Sequence, residues 1–277
     1  MAAIAIAGGP AFAQDLPAKP TMVNLWPQGA PGSGARRAEP EIAKDYWVRN
    51  VQNPSLTIFR PARQNGAAVI VIPGGAHKLI VWTTEGVNVG RALNRYGLTV
   101  FVLKYRLARD EGSTATIDDE IDDVRRAIRW VRAHASEYGV DTHRVGIMGF
   151  SAGGELVSLV ADNVATRQTS SKDAVDRLSD RPDFQVLVFP GPLGVPANDV
   201  GHAPPAFITA GSLDECCATP ALTLYEQLRA ARRPAELHMY AGAGHAFNLD
   251  ESNRISIMHW PDRLADWLAD EGFMDAR

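Results

Sequence analysis

The chain has 277 residues, a net charge of −4 and 45% hydrophobic content. That length and apolar fraction suit one substantial core, so a single α/β domain is favoured over two. Acids and bases are interspersed, which excludes a basic footprint for nucleic acid and a polybasic membrane patch. No apolar run reaches the roughly 18 residues of a membrane span.

Residues 1–13 read as the end of a secretory signal, with a short apolar stretch and an Ala11-Phe12-Ala13 cleavage-like site. A positive leading region is missing, since no Lys or Arg precedes Lys19. The expectation is export to the periplasm or medium, with a disordered alanine-rich tail as the alternative. Residues 14–43 form an arm rich in Pro, Gly and Ala, centred on Trp26-Pro27-Gln28-Gly29-Ala30-Pro31-Gly32 and predicted to be neither helix nor strand. Residues 44–277 make up one folded domain.

Tyr46–Val51 and Leu56–Phe59 alternate apolar and polar residues around Asn53-Pro54, which predicts an antiparallel hairpin at a sheet edge. Residues 67–73 form a continuous apolar run, as in a strand covered on both faces. A helix over 84–96 and a strand over 98–105 follow. Ile117–Tyr138 is a long amphipathic helix carrying Ile121, Val124, Ile128 and Val131 on one side, stopped by Gly139. Arg144–Phe150 is a strand and 152–163 its helix. Residues 164–182 are polar and read as a helix-bearing excursion or lid. Strands are predicted at Phe184–Phe189, Ala206–Ala210 and Ala235–Tyr240, with helices at Pro220–Ala231 and Ile257–Asp270. Alternation of strand and helix from residue 67 onward means crossover connections. The fold class is therefore α/β, a mostly parallel doubly wound sheet with helices on both faces and an antiparallel N-terminal hairpin.

Gly149-Phe150-Ser151-Ala152-Gly153 sits between a strand and a helix, the setting that makes G-x-S-x-G a nucleophile turn. Asp214 follows the strand at 206–210, and His245 follows the strand at 235–240 in a small-residue loop. A carboxylate there can orient an imidazole, and the order Ser, Asp, His suits a nucleophile, an orienting acid and a base at three strand ends. Glu215 is the rival for the acid. Val71-Ile72-Pro73-Gly74-Gly75-Ala76-His77 stands where an oxyanion loop belongs. The N–H groups of Gly75 and Ala76, with that of Ala152 behind the nucleophile, are the candidate donors. His77 and Phe150 are assigned to the substrate pocket. Cys216 and Cys217 are the chain's two cysteines. They read as two small buried hydrophobes, with a vicinal disulfide as the alternative, and their spacing matches no metal-site pattern.

These residues resemble the α/β-hydrolase superfamily, and within it the acetylesterases that remove acetyl groups from xylan and related sugars. The likeness rests on Leu25–Gly32, Pro73–His77, Val102–Arg106, Gly149–Gly154, and Pro234–Tyr240 running into Gly244–Phe247. It covers roughly residues 22–270. It departs at His77, where a bulky aromatic is usual, at Ala246, where a glycine is usual, and at Cys216 and Cys217, where hydrophobic residues are usual. The resemblance implies a serine esterase acting on short acyl esters of small molecules or oligosaccharides, with neither metal nor organic cofactor. A general short-chain carboxylesterase is the main alternative. A prolyl-oligopeptidase-type peptidase would need a further domain, a lipase would want a larger apolar lid, and a non-catalytic binding protein would generally have lost a triad member. Oligomeric state is not legible in the sequence.

Overall fold

The computed structural model describes residues 19–163, 173–247, 249 and 255–275. The signal-like segment 1–13 lies outside them, as do residues 164–172 of the expected lid. The strands are Thr21–Asn24 (β1), Ile42–Lys44 (β2), Trp47–Arg49 (β3), Ser55–Phe59 (β4), Ala68–Ile72 (β5), Ile80–Val81 (β6), Thr99–Lys104 (β7), Val145–Phe150 (β8), Gln185–Val188 (β9), Ala206–Gly211 (β10) and Ala235–Tyr240 (β11). The α-helices are Asn88–Asn94 (α1), Ile117–Ala133 (α2), Ala152–Ala161 (α3), Ala218–Ala230 (α4), Ile255–Met258 (α5) and Trp260–Asp270 (α6).

Among the described residues the main sheet has eight strands in the order β1-β4-β7-β5-β8-β9-β10-β11. From β7 to β11 neighbouring strands run parallel, while β1 and β4 are antiparallel at one edge. Continuous apolar strands divide their side chains between two cores. In β5, Ala68, Ile70 and Ile72 join the core under α2, α3 and α4, whereas Val69 and Val71 join the one under α1 and α6. This is the sandwich of helix, sheet and helix that the alternation predicts.

Two expectations about the N-terminal third change. An antiparallel hairpin is present, but its strands are β2 and β3, turned at Asp45 with φ 50°, in a small separate sheet completed by β6. Ser55–Phe59 instead pairs with β1 and β7 in the main sheet. The arm also contributes structure of its own: β1 is an edge strand, and Gly34–Ala38 is a 3₁₀ turn. The Trp-Pro segment is fastened to α2. Trp26 Nε1 donates to the buried Asp123 carboxylate at 3.0 Å, and the Arg126 guanidinium lies 4.8 Å from the Trp26 ring.

Helix α2 begins with a reciprocal cap between Thr116 and Asp119 and gives way to a 3₁₀ turn at Ala135–Tyr138, where Gly139 takes a left-handed φ of 62°. Ile121 is only partly buried; Glu120, Val124, Ala127, Ile128 and Val131 form the inward stripe. The described part of the expected lid, 173–182, lies along this helix. Arg126 pairs with Asp173 at 2.8 Å and Asp176 at 2.7 Å, and Arg129 pairs with Asp180 at 2.5 Å. These residues are tied to the flank of the domain.

Candidate active site

The chain runs from β5 outward to β7, then returns to β8 on the other side of β5, so the β5/β8 pair marks the point where the winding reverses. Crevices at such reversals, beyond the carboxyl ends of the strands, are where open α/β sheets bind ligands. The register pairs Ile72 with Gly149, which places the loop after β5 directly beside the turn after β8.

That turn is sharp. Ser151 has φ 49° and ψ −116°, a strained conformation that any side chain other than glycine adopts at a cost. A Cβ on Gly149 would overlap the Gly153 carbonyl, and a Cβ on Gly153 would overlap the Ile72 carbonyl. The two glycines are thus required by close approach: one lets strand meet helix, the other lets the helix meet β5. Helix α3 starts at Ala152 with no side-chain cap, so its first N–H groups and positive end face the serine side.

The other two groups arrive from the far half of the sheet. Asp214 follows β10 and His245 follows β11; these adjacent strands pair Gly211 with Tyr240. His245 Nε2 lies 3.0 Å from Ser151 Oγ, and His245 Nδ1 lies 2.8 Å from Asp214 Oδ2. The Asp214 carboxylate is buried, and its other oxygen accepts the N–H groups of Cys216 and Cys217 at 3.2 and 3.1 Å. Glu215, the rival acid, is exposed and stands outside this chain of contacts. The Phe189 ring meets the His245 ring edge-on at 5.0 Å, fixing its plane. Ser151, His245 and Asp214 are therefore in line within hydrogen-bond reach, the arrangement expected of a nucleophile, a base and an orienting acid.

The loop after β5 is held from below. Gly74 lies so close to the nucleophile that an added Cβ would stand 3.0 Å from Ser151 Cβ. Its N–H donates to Glu85 Oε2 at 2.7 Å, and the preceding Pro73 carbonyl accepts the Tyr105 hydroxyl at 2.8 Å. Gly75 has φ 133°, Ala76 φ 57° and His77 φ 62°, a tight reversal that leaves Ala76 exposed. Among the described residues, no acceptor within the protein takes the N–H of Gly75 or Ala76. Of the three candidate donors, Gly75 and Ala76 thus stand on the loop whose Gly74 abuts Ser151, and Ala152 is the first residue of α3.

Two assignments from the sequence are corrected. His77 faces no substrate pocket: it is fully buried, with Nδ1 2.5 Å from Glu120 Oε2 and Nε2 2.6 Å from Glu155 Oε2. The consecutive left-handed residues turn it inward, where it joins the loop to α2 and α3. Burial alone would lower its pKa, but the two carboxylates outweigh that and hold it at about 9, so it is an imidazolium at neutral pH. Phe150 also points inward, because alternation along β8 sends it to the α6 side, where its ring packs 6.3 Å from Trp260.

Sequence reading missed this buried support. Glu85 is 3% exposed, and burial raises its pKa to about 7 against the opposing Gly74 hydrogen bond. Burial likewise raises Glu120, whose other oxygen accepts Ala108 N–H at 2.6 Å. A signal existed for Glu120, which falls on the inward stripe of α2 four residues before Val124. Of the two readings of the cysteines, the alternative one holds. Cys216 and Cys217 are joined in a vicinal disulfide, with Cys217 buried and Cys216 exposed beside the site.

Residues 56–188 match the family described as BD-FAE, and residues 196–271 match the dienelactone hydrolase family. The first match holds the β5 loop and Ser151, the second Asp214 and His245. Over 135 residues, 49% of this chain, the sequence is 33% identical to an acetylxylan esterase of Xylanibacter ruminicola. That match spans 25% of the relative's length. A solved acetyl ester-xyloside bifunctional hydrolase from Caldicellulosiruptor lactoaceticus superposes with a TM-score of 0.73 at 25% identity, over 92% of this chain and 97% of that one. The thermophilic esterase Est2 of Thermogutta terrifontis shares the fold, with a TM-score of 0.70 at 20% identity over 88% and 98% of the two chains. With its parallel sheet and these matches, the chain has the α/β-hydrolase fold and is similar to esterases that share it.

Proposed function

We propose that this protein is a serine esterase that hydrolyses acetyl and other short acyl esters of xylan or related carbohydrates. The observation that carries the reading is the contact line Ser151 Oγ, His245 Nε2, His245 Nδ1, Asp214 Oδ2, at 3.0 and 2.8 Å, beside a loop with unclaimed N–H groups.

In this mechanism His245 takes the Ser151 proton as Oγ attacks the ester carbonyl, and Asp214 keeps the imidazole oriented and stabilises its charged form. The N–H groups of Gly75, Ala76 and Ala152 receive the oxyanion, with the α3 N-terminus adding its positive end. His245 then protonates the leaving alcohol, and a water attacks the acyl-enzyme in the reverse sense to free the acid. The preference for acetylated sugars draws on the names of the Xylanibacter and Caldicellulosiruptor relatives.

Acetate release from acetylated xylan, measured beside 4-nitrophenyl esters from acetyl to octanoyl, tests the reading. Release from the polymer with a steep fall beyond propionyl upholds it. A flat chain-length profile with nothing freed from xylan moves the enzyme to the general carboxylesterases. Ser151→Ala should abolish hydrolysis with the melting temperature unchanged; full activity in that variant removes the triad mechanism altogether.

A further inference from the structure

The vicinal disulfide stands against the base of the triad. Cys216 Sγ is 3.6 Å from His245 Nδ1, the nitrogen that Asp214 orients. The ligating atoms of Asp214, Cys216, Cys217 and His245 all lie within 4.8 Å of one another. Cys216 is exposed and the His245 side chain is 39% exposed, so solvent reaches the cluster.

We propose that this cluster is a thiol-gated inhibitory site for a soft divalent cation of the Zn²⁺ or Cd²⁺ kind. While Cys216 and Cys217 are joined, their sulfurs are spent on each other and offer no thiolate. Two equivalents of a small thiol open the site: the Cys216–Cys217 bond breaks, a disulfide forms between the reductant's sulfurs, and the two hydrogens pass to the cysteines. A cation then displaces the two thiol protons and takes both sulfurs, His245 Nδ1 and an oxygen of Asp214. Such mixed sulfur, nitrogen and oxygen sets suit zinc, whose donors in a tetrahedron stand about 3.3–3.8 Å apart. The Cys216–His245 separation of 3.6 Å already lies in that range.

Inhibition follows from the tautomer, and so rests on the serine esterase reading. A metal on Nδ1 uses the lone pair there and leaves the ring proton on Nε2. That nitrogen then donates toward Ser151 Oγ and cannot take its proton. The chain spacing of the cysteines carries no such site; the fold creates it by bringing β11's loop over the residues that follow Asp214.

The test compares oxidised protein with protein reduced by excess thiol and desalted anaerobically, each titrated with Cd²⁺. Wild type and Cys216→Ala are read by the ultraviolet cadmium–thiolate band and by acetyl ester hydrolysis. Reduced wild type should bind one Cd²⁺ per chain and lose activity by on the order of 10⁴-fold, the effect of a wrong histidine tautomer, with recovery on adding EDTA. Oxidised wild type should show neither band nor loss, and the activity of Cys216→Ala, at whatever level, should not depend on reduction combined with Cd²⁺. No cadmium–thiolate band in the reduced wild type, or equal inhibition of oxidised and reduced forms, overturns the proposal. If no form hydrolyses esters, the esterase reading falls, and the band alone then upholds or overturns the metal site.

Discussion

The Glu85 carboxylate accepts the N–H of Gly74 at 2.7 Å, so a buried acid sits directly under the loop proposed to hold the oxyanion. Its pKa is raised from 4.5 to about 7 by burial. The folded protein therefore holds this proton more tightly than the unfolded chain, and stability falls as pH rises between those two values. Glu85→Gln keeps the acceptor and removes the charge. The variant should gain on the order of 2–3 kcal/mol over wild type at pH 8 and nothing at pH 4, read from urea midpoints at both pH values.

His77 titrates in the opposite chemical sense, but its loss falls on the same alkaline side. Its pKa is raised from 6.5 to about 9 by the two carboxylates that face it. Its stabilisation is complete below pH 6.5 and disappears as pH climbs through 9. Removing it leaves Glu120 and Glu155 buried without their cation. His77→Ala should lower stability at pH 6.5 by about 3–5 kcal/mol, measured by denaturant unfolding, and should narrow its gap to wild type at pH 10.

Asp214→Asn should leave the fold intact while disabling the base. The amide can donate to Nδ1, which favours the tautomer with its proton on Nε2, facing Ser151. A fall of about 10⁴-fold in kcat with little change in KM is expected. Steady-state kinetics on an acetyl ester, beside a thermal melt, check it.

Gly75 has φ 133°, and a Cβ there would strike the Leu79 carbonyl. Gly75→Ala should therefore shift the donor loop away from Ser151. The expected cost is about 10²–10³-fold in kcat, as for loss of an oxyanion donor. Equal losses in kcat and kcat/KM would place the defect in the transition state; a rise in KM alone would contradict the loop's assigned role.

Trp26 anchors the N-terminal arm through its hydrogen bond to Asp123, a carboxylate that also receives three bonds from Arg106, one of them from its backbone N–H. Trp26→Phe keeps the ring over Arg126 but leaves one buried oxygen short of a donor. A loss of about 1–3 kcal/mol is expected, visible as a lowered melting temperature with acetyl ester kinetics unchanged.

The three side chains that meet at the candidate site were legible because each leaves a local trace: Ser151 between two glycines on a strand-to-helix turn, Asp214 and His245 just beyond strand ends. The buried strands of the main sheet were legible for the same reason, since runs such as Ala68–Ile72 are apolar without interruption, whereas the short strands β1, β2 and β6 left no such trace. Pairing was not. Alternation marks Trp47–Arg49 and Ser55–Phe59 as strands but carries no information about their neighbours, and they join different sheets. His77 shows why partners escape a linear reading. Its position on the β5 loop suggested exposure, yet its orientation is decided by two left-handed residues and by acids 43 and 78 positions away. Glu155 in isolation looks like an ordinary acid in the first turn of its helix, and Glu120 is marked only by its place on the inward stripe of α2.

Ser151 and His245 are 94 positions apart in the chain, and β10 and β11, which lead into Asp214 and His245, are the last of the described strands in chain order. A ribosome adding about 5–20 residues per second needs some 5–20 s to cross that interval, during which the serine turn has no base. If these two residues act as proposed, ester hydrolysis reports on the arrival of the His245 loop: a growing polypeptide stays chemically silent until β11 has emerged and docked. The enzyme's own turnover can serve as a clock for co-translational folding, with no added label.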